Sequence, residues 1–324
     1  MYDIEWICIE GEKIFILNEG KKIILYESDS RKFFLYEKSL NSDYKLNNLF
    51  NVTSQFGIID SIILSNEMIV TVGRKQIIIY KKDSNSNYIL HQNIFGGDWA
   101  EIYNIKELSN KNFAVCGWYG FMIFEQNKNS QNYELILEIN DSVFNDSHRI
   151  YDFLEIKGKE NKFILISKDK AFIINSKNIE KIIKLDDEYK SFYRSKNYIC
   201  QFNDELYIIP GMRVLTFINI NDNSFKQIKF LKESEIKKRK LLDDTIFNPK
   251  IFKYNSKYII LDTLNGLFFV QIINNEKIQV NLKIQFDENI QFFHYIESDK
   301  VLVYGELSKY YKFKIKKLIS LNNN

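Results

Sequence analysis

The chain alternates short apolar runs with short polar breaks along its length. One kind of run, ending in an aromatic or large aliphatic residue, recurs at 33–36, 77–80, 121–124, 171–174, 214–217, 267–270 and 310–313. Successive copies end 43 to 53 residues apart. Each follows a second apolar run, at 22–26, 68–72, 113–116, 163–167, 206–209, 258–262 and 301–304, across a turn of hairpin length. Further runs lie upstream, at 13–17, 59–64, 102–107, 150–156, 197–201, 250–254 and 291–296. Others lie downstream, at 44–50, 88–94, 133–139, 179–185, 225–230 and 278–285. The runs are β-branched or aromatic and too often interrupted for an amphipathic helix, so they predict strands.

Four strands repeating at roughly 40–45 residues are the sequence signature of a propeller blade. The expectation is an all-β, single-domain, seven-bladed β-propeller with four antiparallel strands per blade. Its blades span 11–56, 57–97, 98–146, 147–190, 191–246, 247–289 and 290–324. The last blade lacks a clear fourth strand, while the segment 4–9 (Ile4, Glu5, Trp6, Ile7, Cys8, Ile9) precedes the first blade and has no other role. That segment is expected to pair as the outer strand of the last blade and close the ring, since an open ring leaves two exposed edges. The alternative is that 317–321 is that strand.

Composition changes the picture in two ways. Only 12 Gly and 2 Pro occur among 324 residues, about a third of the usual combined share. Turns are written instead with Asn, Asp, Ser and Lys, as at 83–87 and 127–130; Asn and Asp tolerate left-handed backbone. The shortage of glycine excludes collagen, Gly-rich spacers and glycine-cradled phosphate chemistry. A 45% hydrophobic content supports a large core and argues against a disordered chain. The net charge of +3 gives no global field toward nucleic acid. Cys8, Cys116 and Cys200 form no CxxC pair and sit in apolar runs, so they are expected as buried reduced thiols. With no basic-then-apolar leader and no run long enough to span a bilayer, the expected location is the cytoplasm.

The third repeat contains Gly96-Gly97-Asp98-Trp99 ahead of its first strand, then Leu108-Ser109-Asn110 approaching Phe113-Ala114-Val115-Cys116-Gly117, and it closes on Phe124-Glu125. It resembles a divergent WD40 repeat. The closing Trp-Asp of that family is replaced throughout, by Tyr36-Glu37, Tyr80-Lys81, Phe124-Glu125, Ile174-Asn175, Phe217-Ile218, Val270-Gln271 and Phe313-Lys314. In the fourth repeat the resemblance implies that His148, Ser167 and Asp169 hold the positions of a buried hydrogen-bond network, left incomplete because Ile174 replaces the tryptophan.

Chemistry is sparse. Ser147-His148 with Asp146 or Asp152 invites a triad reading, but a triad is defined by geometry, and the structural network role is preferred. His91 and His294 lie in strands and read as packed residues; no catalytic residue, metal or cofactor is expected. The repeats lack the Asp boxes of sialidase-type propellers and the per-blade Gly-Gly pair of kelch repeats. The loops around Asp98, Trp99, Trp118 and Tyr119 are the expected partner-binding surface, because Trp and Tyr anchor interfaces. The insertion 231–242 carries Lys237, Lys238, Arg239 and Lys240, which could contact phosphates or an acidic partner. The expected function is a non-catalytic scaffold for a peptide or protein, acting as a monomer or a subunit of a complex. The alternatives are an enzyme with a channel-bound metal, or nucleic-acid or acidic-partner binding through 231–242.

Overall fold

The computed structural model describes residues 13–17, 22–27, 30–38, 44–54, 57–96, 101–140, 144, 149–185, 198–211, 214–229, 250–263, 266–274, 277–284, 290–296, 301–306 and 312–317. The strands fall into antiparallel meanders in which every ladder joins neighbours in sequence. The first sheet is β1 (Lys13–Leu17), β2 (Lys22–Glu27), β3 (Lys32–Lys38) and β4 (Tyr44–Asn51). The second is β5 (Ile58–Ile63), β6 (Ile69–Gly73), β7 (Gln76–Lys82) and β8 (Tyr88–Phe95). The third is β9 (Ile102–Glu107), β10 (Phe113–Gly117), β11 (Gly120–Gln126) and β12 (Tyr133–Ile139). The fourth is β13 (Asp152–Glu155), β14 (Lys162–Ile166), β15 (Lys170–Asn175) and β16 (Asn178–Lys184). The fifth is β17 (Cys200–Gln201), β18 (Leu206–Pro210), β19 (Val214–Asn219) and β20 (Ser224–Lys229). The sixth is β21 (Lys250–Lys253), β22 (Tyr258–Thr263), β23 (Gly266–Asn274) and β24 (Lys277–Ile284). A three-stranded sheet follows, β25 (Ile290–Ile296), β26 (Val301–Glu306) and β27 (Lys312–Lys317). The chain divides into two compact units, one of residues 1–95 with 286–324 and one of residues 96–285.

The burial pattern explains why the second strand of each repeat reads as a continuous apolar run. Strands β6, β10, β14 and β18 are buried at every position, because both faces are covered. The fourth strands β16 and β20 are largely exposed, which is why they carry interspersed lysine, glutamate and glutamine.

In the first unit the first two sheets meet through aromatic rings. Phe33 packs 5.3 Å from Phe50 and 6.3 Å from Tyr80, and Phe50 packs 5.1 Å from Tyr80 and 5.3 Å from Tyr88. Burial pushes the Tyr80 hydroxyl above the ordinary phenol range, and its oxygen accepts the Thr53 N–H at 3.3 Å.

The second unit stacks its four sheets on three apolar layers. Phe121, Phe153, Phe163 and Phe172 fill the layer between the third and fourth sheets. Ile164, Ile173, Tyr207 and Ile218 fill the next. Ile208, Phe217, Ile259 and Phe268 fill the last.

The turns follow the glycine-poor composition. Among the described residues nine non-glycine residues are left-handed, including Glu67, Lys111, Gln131 and Asn223. Four of the hairpins joining first and second strands repeat one device. Asn66 and Asn110 each accept, through Oδ1, the N–H two residues on at 3.1 Å; Asn203 and Asn255 accept two N–H groups each. Gly120 cannot be replaced so easily. Its φ is +112°, and a Cβ there would lie 2.0 Å from the Ile139 carbonyl oxygen. Gly120→Ala is expected to lower the unfolding free energy by about 2–3 kcal/mol; an unchanged urea midpoint would count against this close approach.

Two strands depart from the sequence expectation. The first strand of the fifth sheet was expected over 197–201 but forms ladder bonds only at Cys200–Gln201, because the Tyr198 N–H is diverted to the Asp152 carboxylate at 2.8 Å. The last strand runs Lys312–Lys317 where 310–313 was expected, its lysines alternating with Phe313 and Ile315. The segment 4–9 and the residues after 317 lie outside the described residues.

Candidate functional site

Two polar arrangements stand out in the second unit. The first is buried. Strand β9 carries Asn104 and Lys106 two residues apart and hence on one face, and Asp152 opens β13. The Asp152 side chain is fully buried. Its Oδ1 accepts from Asn104 Nδ2 at 2.6 Å, from Lys106 Nζ at 2.6 Å and from the Phe153 N–H at 2.8 Å, while Oδ2 accepts the Tyr198 N–H. Lys106 Nζ also donates to the Phe153 carbonyl at 2.6 Å. A buried carboxylate is tolerated only when paired and hydrogen-bonded, and here an ammonium and three N–H donors meet that need. The group ties the leading segments of three successive sheets together. With Oδ1 shared among three donors, Asp152 is committed to structure.

The second arrangement lies at the β10–β11 hairpin, where Gly117 and Gly120 bracket Trp118-Tyr119. The Trp118 N–H donates to the Glu101 carbonyl at 2.9 Å, and the Ile150 N–H donates to the Gly117 carbonyl at 3.0 Å. The fit is close, since a Cβ at Gly117 would lie 2.1 Å from the Glu101 oxygen. These bonds fix the turn against the segment entering β13. Trp118 and Tyr119 are half-buried, and Arg149 lays its guanidinium carbon 3.5 Å from the centre of the Trp118 ring. Such stacking is favourable and holds both groups in one orientation.

No family model matches the chain, and no curated protein matches it. Solved structures do. The WD40 domain of Neurospora crassa Pan2 superimposes with a TM-score of 0.61 at 9% identity, covering 95% of this chain and 89% of that one. The β-propeller domain of Myceliophteria thermophila Cps50 (Swd1) gives 0.60 at 9% identity, covering 98% and 99%. The extracellular domain of the hybrid two-component system BT4673 from B. thetaiotaomicron gives 0.60 at 14% identity, covering 97% of this chain and 43% of that one. The fold is a divergent WD40-like β-propeller.

Within this propeller the residues singled out from sequence fare unequally. Trp118 and Tyr119 sit together on the hairpin described above. Asp98, Trp99, His148, Lys237, Lys238, Arg239 and Lys240 lie outside the described residues. Ser167 is buried and its hydroxyl donates to the Lys170 carbonyl at 3.2 Å, within its own turn. Asp169 uses its carbonyl to accept the Leu185 N–H at 2.8 Å. Ile174 is fully buried in the layer between the third and fourth sheets. Cys116 and Cys200 are buried and belong to no disulfide among the described residues. Among the described residues no three His, Cys, Asp or Glu side chains are grouped to hold a metal, and no helix is long and apolar enough to cross a membrane.

Sequence reasoning missed Arg149 and the Asn104–Lys106–Asp152 group. A signal for the latter exists. The third residue of β5 is Asp60 and of β9 is Asn104, and Asp152 pairs with β14 as Asp60 does with β6. A polar side chain at the same position in three successive apolar runs is the sequence signal that each of these positions serves a buried polar contact. Asp60 is buried like Asp152, and each accepts the N–H of the residue after it.

Proposed function

We propose that the chain is a non-catalytic interaction scaffold, a seven-bladed ring closed by 4–9, that holds a peptide or protein on the end carrying the β10–β11 hairpin. One observation carries the reading: a tryptophan and a tyrosine, adjacent and half-exposed, stand on a turn fixed by backbone bonds to two neighbouring segments. Rigid presentation lowers the ordering entropy of binding, and Trp and Tyr supply the anchors. Asp98 and Trp99 precede Glu101 in sequence and belong to the same surface in this reading. Closure is supported by the grouping of the first two sheets with β25–β27 in one compact unit.

The test is affinity purification from the native cell with the wild type and with Trp118→Ala plus Tyr119→Ala, after matching their melting curves. The double variant is expected to lose at least one partner, with each truncated anchor weakening binding by about tenfold or more. Identical partner sets would remove this surface from the proposal.

A further inference from the structure

From the Trp118–Arg149 pair we infer that the partner segment is an acidic peptide whose carboxylate is taken by Arg149; this rests on the loop-end surface proposed above. The guanidinium carbon lies 3.5 Å from the indole centre, the distance of face-to-face stacking. Such stacking leaves the in-plane N–H donors, whose fork matches a carboxylate, pointing away from the ring. Among the described residues Arg149 meets no carboxylate within ion-pair distance. A guanidinium held in this way presents one half of a bidentate pair to an arriving carboxylate.

The surroundings favour the same ligand. Antiparallel pairing of β13 with β14 and of β14 with β15 places the segment entering β13 and the β14–β15 turn at one end of the fourth sheet. That turn exposes Lys168 and half-exposes Lys170, against one acid, Asp169. Glu101, beside Trp118, is already engaged in an interaction of its own. A peptide crossing this end meets an aromatic pair, a fixed guanidinium and an exposed ammonium. That combination suits an aspartate or glutamate next to an apolar side chain. A nucleic-acid base fits less well, because the indole face that it would stack on is covered by Arg149.

The experiment is selection of a displayed random-peptide library on the full-length chain, followed by titration of the winning peptide. The expected result is enrichment of Asp and Glu beside an apolar residue. Affinity should fall at least about tenfold in Arg149→Gln, with only partial recovery in Arg149→Lys, which keeps the charge but loses the fork. Affinity should also fall with rising salt. Peptides that lose binding in Tyr119→Ala but carry no acidic enrichment, or bind Arg149→Gln unchanged, overturn the acidic assignment and leave the loop-end surface standing. Peptides indifferent to Trp118→Ala and Tyr119→Ala overturn both. Arg149-dependent binding of oligothymidine with no acidic peptide selected assigns the surface to nucleic acid and overturns the inference.

Discussion

Asp152→Ala is expected to lower the unfolding free energy by about 3–5 kcal/mol, the cost of removing one partner from a buried charged group. The substitution leaves Lys106 without its counter-ion and strips the acceptor from Asn104 Nδ2, the Phe153 N–H and the Tyr198 N–H. Urea unfolding monitored by tryptophan fluorescence measures the loss. Asp152→Asn retains one acceptor oxygen and should be milder. Adding Lys106→Met to Asp152→Asn should recover part of the difference, since the unpaired ammonium is then gone. A loss below about 1 kcal/mol in Asp152→Ala would mean that the network does not tie the inner strands. The same variant should shift Tyr198, whose N–H would be free to extend the short ladder of β17.

Deleting residues 1–10 is the second large effect. If 4–9 completes the last sheet, the deletion removes about five ladder hydrogen bonds at roughly 1 kcal/mol each, together with the buried side chains of one face. The expected loss is about 5 kcal/mol or more, with aggregation at concentrations the full chain tolerates, because β27 would become an open edge. Deleting 318–324 should cost far less. The reverse ranking would assign the outer strand to the C-terminal segment and remove 4–9 from the proposed closure.

The strands were legible because their burial writes itself into sequence. A strand covered on both faces, such as β10, is apolar throughout, and an exposed fourth strand such as β20 need not be. A regularity that the turn composition only hinted at is the Asn three residues before the second strand in four hairpins, Asn66, Asn110, Asn203 and Asn255, where the side chain closes the turn in place of glycine. Tyr198 escaped, since nothing local shows that its N–H serves a carboxylate 46 residues upstream. Arg149 escaped for a related reason: it joins Trp118 across two sheets, and only the pairing of Ile150 with Gly117 brings them together. Trp118 and Tyr119 could be named because residue type alone suggests an anchor, whereas a guanidinium becomes informative only when its neighbour is known.

The uniform meander topology has a kinetic consequence. Since every ladder among the described strands joins sequence neighbours, each of those strand sets can form from a stretch of chain shorter than one repeat, without waiting for distant segments to meet. Loop-closure entropy is then small at each step, and nucleation can begin in any sheet and spread to its neighbours. If 4–9 closes the ring as proposed, the slow step is the pairing of the first and last repeats, which sequence proximity does not assist. That closure would then have to await synthesis of residues 290–324, leaving the earlier sheets to persist with their apolar faces only partly covered.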